Sequence, residues 1–240
     1  MDTAGRLAPR SSLAAVVVVH AGEEQAALGA AHHIERRLRR ALDTAPTATL
    51  AVSGGSTPAP MLRALAGADL PWESIHLFQV DERIAPAGHA DRNATQLATC
   101  LLDAAPLRAT NVHLMDVEGP DPIRSAERYA ELLARWAPAG LDIVHLGLGD
   151  DGHTASLVSG DQVLEITDRA VAVTGVYRGR RRLSLTYPEL ARARAVVWLA
   201  PGAAKAAMLR RLLAHDPTIP AGRVAAGTVF TDIAGLGVVS

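Results

Sequence analysis

The sequence predicts an α/β fold: a single, mainly parallel, twisted sheet flanked by helices on both faces, Rossmann-like, with a small antiparallel portion. Two observations carry this expectation. Short β-branched runs alternate with amphipathic stretches along the whole chain, the pattern of strand–helix–strand crossovers. Polar clusters follow predicted strands at 53–57, 81–83 and 147–153, and a parallel sheet gathers the loops after its strands on one edge.

The first strand is expected over 15–19. A helix follows over 23–42, where Ala27, Ala30, Ala31, Ile34 and Leu38 share one face. A strand over 47–52 leads to a helix that Pro58 opens at its favoured first position, with Thr57 as its cap. The middle of the chain reads as a strand over 75–80, a helix around 94–102, a short strand over 112–115, and a helix over 122–136 beginning near Asp121. The apolar run 141–146 is a buried strand, and 170–176 with 183–186 forms an antiparallel pair around the polar turn 178–182. A strand over 195–199, a helix over 203–214 and a strand over 228–233 that closes the sheet complete the order. With no internal repeat, low-complexity tract or Pro/Gly/Ser-rich linker, residues 1–240 read as one domain with a core over about 13–233.

Composition narrows the function. The 240 residues are 49% hydrophobic and 20% charged, ordinary for a soluble globular enzyme. A formal charge of -1 gives no electrostatic case for nucleic acid or an anionic membrane surface. With only 3% aromatic residues, the core is expected to be Ala, Val and Leu. Cys100 is the only cysteine, so there is no internal disulfide, zinc cluster or redox pair, in keeping with a reducing, cytoplasmic setting. Arg6 and Arg10 before the apolar run 13–19 share features with a secretory signal. The run is short, ends at His20 and precedes the acidic pair Glu23-Glu24, so it reads as a strand. No apolar stretch approaches the roughly 18–20 residues of a membrane span.

The three loops differ in chemistry. Ser53-Gly54-Gly55-Ser56-Thr57 suits an anion: the glycines let backbone approach closely, the hydroxyls donate, and a helix N-terminus follows. As a bare motif it is equally a plain glycine turn; its place after a strand and before a Pro-started helix favours phosphate. In Asp81-Glu82-Arg83, Asp81 suits a sugar hydroxyl and Arg83 a phosphate, although alone the triplet reads as a solvated charge cluster. Asp91 and Asn93 are candidates for loop-holding or hydroxyl binding. The third loop, Gly147-Leu148-Gly149-Asp150-Asp151-Gly152-His153, is the most specific. Histidine suits general acid–base work near neutral pH, the glycines permit a tight turn, and Asp151 is close enough to fix the ring's tautomer. His32, His33 and His145 lack such a setting and read as surface or core residues.

Other chemistries lack their motifs. There is no HxxxH or HExxH pair for a metal, no G-x-S-x-G elbow for a serine nucleophile, and no well-formed G-x-G-x-x-G for a dinucleotide. Neither a metal nor an organic cofactor is expected.

Taken together, S-G-G-S-T-P at 53–58, D-E-R at 81–83, D-x-N at 91–93, G-L-G-D-D-G-H-T-A-S-L at 147–157, R-L-S-L-T at 182–186 and P-G-A-A-K at 201–205 resemble the 6-phosphogluconolactonase family, in the wider group that includes glucosamine-6-phosphate deaminase. The resemblance spans about residues 13–233 and implies hydrolysis of 6-phospho-D-glucono-1,5-lactone to 6-phosphogluconate, the second step of the oxidative pentose phosphate pathway. It implies His153 as general base beside Asp151. It also implies that Ser53, Gly54, Gly55, Ser56 and Thr57, with Arg83 and Lys205, hold the phosphate, with Arg182 as helper; Asp81 and Asn93 join the substrate site as the residues suited to sugar hydroxyls. Lys205, the only lysine, lies in the first turn of its expected helix, where a cation opposes the helix dipole unless an anion joins it. The deaminase relatives carry a catalytic glutamate soon after D-G-H; here the next glutamate is Glu165. Val158-Ser159 stands where Phe-Pro is usual, and Ala94 where an aromatic commonly follows Asn93. A sugar-phosphate sensor would need a DNA-binding unit, for which a first strand near residue 15 leaves no room. The expected partner is thus a small sugar phosphate, with no nucleic acid and no membrane, acted on by a monomer or homodimer.

Overall fold

The structure, a computed structural model, describes residues 15–225 and 227–236. Arg6, Arg10 and the first two residues of the 13–19 run lie outside the described residues. Among the described residues, seven strands form a wholly parallel sheet: β1 (Val16–Val19), β2 (Ala48–Val52), β3 (Ile75–Gln79), β5 (Val112–His113), β6 (Ile143–Gly147), β9 (Val196–Leu199) and β10 (Thr228–Thr231). Their order is β1-β10-β9-β6-β2-β3-β5. The remaining three, β4 (Asp81–Arg83), β7 (Val171–Val173) and β8 (Arg182–Leu185), form a small antiparallel sheet in the order β4-β8-β7. The expected architecture is therefore present.

From β2 the chain moves outward through β3 to β5, then returns to place β6 on the other side of β2. The loops after β2 and β6 consequently leave adjacent strands in opposite directions, which opens a crevice between them. Strand alternation divides the core between the two faces. Leu50, Leu77 and Ile143 join the alanine-rich face of α1 (Glu23–Leu42) and the helix α2 (Ala59–Ala66). Ala51, Phe78 and Val144 join residues of α4 (Pro122–Trp136), α6 (Ala206–Leu213) and the small sheet. Asp121 caps α4 by accepting from the N–H groups of Ile123 and Arg124.

Several boundaries differ from expectation. The last strand does not close the sheet; β10 is fully buried between β9 and β1, while Val16 and Val19 of β1 are 59% and 50% exposed at the edge. Asp81–Arg83, read as loop, is a strand because its partner β8 lies a hundred residues away, a pairing that local periodicity cannot reveal. Thr57 makes no side-chain cap to α2, whose N-cap position is held by Pro58. The helix near 94–102 is α3 (Asn93–Leu97) running into a π turn over Ala98–Leu102, and the helix expected from 203 begins as a 3-10 turn, Ala203–Lys205. A further helix, α5 (Tyr187–Arg192), follows β8.

Three histidines, His76, His113 and His145, are built into this core. His113 and His76 share a hydrogen bond of 2.9 Å with stacked rings, and Trp136 stacks on His76. Burial, then His76 and Arg135, push His113 down to about 4; burial pushes His145 down to about 3. The His113 and His145 rings stay neutral in the fold where an unfolded chain takes up protons, so their stabilising neutrality is fully present above the unfolded value near 6.5 and is lost as pH falls towards 4. Urea unfolding should show stability declining from pH 7 to pH 5, by at most about 1.4 kcal/mol per pH unit for each histidine. A flat profile would show that these rings take up protons inside the fold.

Candidate active site

The crevice between β2 and β6 is a cleft of about 190 Å³, lined by Ser53–Pro58, Asp81, Arg83, His145, Gly147–Gly149, His153, Ala155, Arg182, 199–201 and Lys205. The three predicted loops do converge. Its size is below that of drug-sized pockets and suits a small polar metabolite.

The two principal loops are tied together at their roots. Ser53 donates its hydroxyl to the His145 carbonyl at 3.1 Å and its N–H to His145 Nδ1 at 3.4 Å. That bond assigns the proton of the neutral His145 ring to Nε2, which is buried without a partner. Beyond Ser53 the chain turns sharply at Gly55, whose φ is +114 and whose N–H donates to Gln96 Oε1 at 2.6 Å. Gly54 packs on Asn93 so closely that a Cβ would lie 2.4 Å from its Oδ1. Ser56 and Thr57 are exposed at the start of α2, with hydroxyls available to a ligand.

The third loop presents an oriented imidazole. Gly149 N–H donates to the His153 carbonyl at 2.8 Å, closing the turn, and Thr154 Oγ1 donates to the Gly147 carbonyl at 2.9 Å. Asp151 Oδ1 accepts from His153 Nδ1 at 2.5 Å and from its backbone N–H at 3.2 Å. With Nδ1 as donor, the lone pair of Nε2 is free to take a proton. Although burial pushes the Asp151 carboxyl up, hydrogen bonds from His153 and Tyr177 hold it at about 2, so it is an anion at neutral pH.

The cationic side is assembled by β4 and β8. Their register sets Arg83 directly opposite Arg182, a like-charge cross-strand pair that is unfavourable unless an anion lies between. Both Nε atoms are buried and, among the described residues, have no hydrogen-bond partner. Arg182 is only 6% exposed, and burial lowers its pKa, with Asp81 opposing. Lys205 extends into the same cleft and pairs with Asp150. These groups can grip a phosphate.

Not every predicted residue faces the cleft. Asn93 is buried beneath the glycine turn, donating to the Asp81 carbonyl at 2.8 Å and to Asp81 Oδ1 at 3.0 Å, and does not line the cleft. Asp81 lines it, but its other oxygen accepts from Ser156 at 2.5 Å, so it anchors the wall. Arg180 pairs with Asp91, Arg181 lines a separate groove and Arg223 reaches the Leu164 carbonyl. Sequence reasoning missed Glu82. Fully buried, it accepts from Gln79, from the N–H groups of Arg83, Asn93 and Ala94, and faces Arg92 at 3.3 Å, holding the D-E-R and D-x-N segments together. It also missed Tyr177, on the hairpin between β7 and β8, which reaches Asp151. The groove that Arg181 lines, about 720 Å³, is larger than the cleft and holds Val158 and Ser159, but neither His153 nor the glycine turn lines it.

An open parallel sheet with a glycine turn and a carboxylate-oriented histidine at its switch point defines an α/β protein of the class that places small-molecule sites at the carboxyl ends of its strands. A family model described as glucosamine-6-phosphate isomerases/6-phosphogluconolactonase matches residues 21–231, and the chain belongs to that family. It is 39% identical over 189 residues to a 6-phosphogluconolactonase of Synechocystis sp., covering 76% of this chain and 78% of the relative. It is 37% identical over 216 residues to one of Pseudomonas putida, covering 85% and 86%. The crystal structure of a 6-phosphogluconolactonase from Thermotoga maritima aligns with a TM-score of 0.81 at 27% identity, covering 90% of this chain and 98% of that one. A monomeric glucosamine-6-phosphate deaminase at 17% identity and a TM-score of 0.79 shares the fold.

Two glycines separate packing from site geometry. A Cβ at Gly54 meets Asn93, which is buried and cannot yield, whereas one at Gly149 would sit 2.0 Å from the His153 ring, which can swing away. Gly54→Ala should therefore lower stability by about 1–3 kcal/mol. Gly149→Ala should leave the melting temperature nearly unchanged yet abolish the low-field proton resonance of the His153 Nδ1–H. Retention of that resonance in Gly149→Ala would contradict the loop geometry described.

Proposed function

We propose that this chain hydrolyses 6-phospho-D-glucono-1,5-lactone to 6-phospho-D-gluconate, with His153 as general base. The single observation that carries the reading is the shared cleft of the glycine turn and the His153–Asp151 pair, within a family whose relatives at 34–39% identity are named 6-phosphogluconolactonases.

The phosphate is gripped by the 53–57 turn, Arg83 and Lys205, with Arg182 assisting, and this leaves the lactone carbonyl towards His153. Neutral His153 takes a proton at Nε2 as water oxygen bonds to the carbonyl carbon. Asp151 stabilises the imidazolium that forms. Backbone N–H groups or a cleft cation stabilise the oxyanion. The intermediate collapses by breaking the bond to the ring oxygen. That oxygen takes the proton back from the imidazolium, and the product acid ionises. A lactone of this kind is already activated, so general-base assistance with phosphate positioning suffices.

Deaminase chemistry is disfavoured because the cleft, among the described residues, is lined by no glutamate; Glu165 is exposed and sits beside Arg223. Asp81, Asn93 and Asp151 serve in this reading as supports of the wall, the glycine turn and the base. In this reading the chain works as a monomer or homodimer in the cytoplasm, a reducing setting in which the free thiol of the buried Cys100 would persist.

The test is a coupled assay in which glucose-6-phosphate dehydrogenase makes the lactone and 6-phosphogluconate dehydrogenase reports the acid as NADPH. The chain should accelerate NADPH formation over spontaneous hydrolysis. His153→Ala should cut kcat on the order of 10²–10⁴-fold with little change in KM. The rate should fall on the acid side as the imidazole is protonated. No acceleration by the wild-type chain would overturn the reading, and near-normal turnover in His153→Ala would overturn the assignment of the base.

A further inference from the structure

We propose that Tyr177 is a positioning residue for the general base: its hydroxyl holds the second oxygen of Asp151 and thereby sets both the orientation of His153 and its basicity. The proposal rests on the reading of His153 as base and extends it to a residue outside the cleft and outside every motif that marks the site.

Asp151 is a partly exposed carboxylate, its side chain 45% accessible, on a short loop. A carboxylate turns freely about its terminal torsion unless both oxygens are engaged. Oδ1 is engaged by His153. Oδ2 has one described partner, the Tyr177 hydroxyl at 2.9 Å, which must be the donor because an ionised carboxylate only accepts. Burial and the Asp151 hydrogen bond both raise the pKa of Tyr177, so the phenol keeps that proton.

Tyr177 is itself rigidly placed. Tyr177 and Arg180 exchange both backbone hydrogen bonds, at 2.9 and 3.2 Å, around Arg178 with φ +50 and Gly179 with φ +77. Two successive left-handed residues make the type I′ turn that matches hairpin twist. The guanidinium of Arg182 lies 5.0 Å from the ring centroid and that of Arg178 5.3 Å. The tyrosine ring meets His153 edge-on at 5.4 Å. An unbroken series of contacts thus runs from the small sheet through Tyr177 and Asp151 to His153.

The effect on basicity follows from charge sharing. The groups facing His153 are Asp151 from its own loop, Arg178 and Arg182 beyond the tyrosine ring, and Asp81, Arg83 and the Lys205–Asp150 pair around the cleft. Among the described residues only Asp151 hydrogen-bonds the ring. A phenol donating to that carboxylate draws off part of its charge and weakens its pull on the imidazolium. Removing the hydroxyl leaves the carboxylate stronger but less fixed, so turnover falls while the imidazole becomes more basic.

Tyr177→Phe keeps the ring, both cation contacts and the turn, and isolates the hydroxyl. It should lower kcat about tenfold with KM changed less than twofold. The acid limb of the rate profile should move up by about half a pH unit. NMR titration of the His153 ring in the ligand-free protein should show the same upward move. In an Asp151→Asn background the tyrosine change should add little, because its effect passes through the carboxylate. Wild-type kcat and an unmoved His153 titration in Tyr177→Phe would overturn the proposal, as would full additivity with Asp151→Asn. The titration needs no substrate, so it still reads the coupling if the lactonase assay is negative.

Discussion

The site depends on the parallel pairing of β2 with β6. Ser53 and His145 fasten the ends of these strands side by side, just where the two chains must part in opposite directions. Without that fastening the glycine turn and the histidine loop would be two unrelated surface features. With it, the glycine turn and the His153 imidazole share one wall. His145 can perform this task only as a neutral ring, and burial keeps it so.

A second layer of polar contacts fixes the rest of the cleft. Glu82 and Asp81 are adjacent in sequence but point to different work. Glu82 gathers Gln79 and the N–H groups of the following loop, while Asp81 holds Asn93 on one oxygen and Ser156 on the other. Asn93 in turn fills the space that forces residue 54 to be glycine. The consequence is that Arg83 and Arg182 are held opposite each other with Nε atoms that find no partner among the described residues. The fold accepts this like-charge pair at a cost, and in the proposed function the phosphate of the substrate offsets it.

Much of this was legible in the sequence. The strand–helix alternation, the glycine turn at Gly54-Gly55, the D-G-H loop with Asp151 next to His153 and the lone Lys205 are local signals, and a parallel sheet brings the ends of its strands together by rule. What was not legible is non-local. The strand at 81–83 exists only because β8 pairs with it, and three charged residues carry no periodicity. Asn93 reads as a ligand group until its burial under Gly54 is seen. Thr57 has the chemistry of a helix cap, yet the chain enters α2 one residue later. Tyr177 sits in a polar turn with no motif around it, and its reach to Asp151 follows from the hairpin's geometry alone.

The central claim is that one ligand touches both the turn near residue 54 and the imidazole at 153. Titrating isotopically labelled protein with 6-phosphogluconate, the product of the proposed reaction, tests it without any turnover. The account predicts that the backbone amide signals of Gly54 and Gly55 and the ring signals of His153 shift together, along one binding curve. Shifts confined to one of the two loops, or two curves with different affinities, would contradict it.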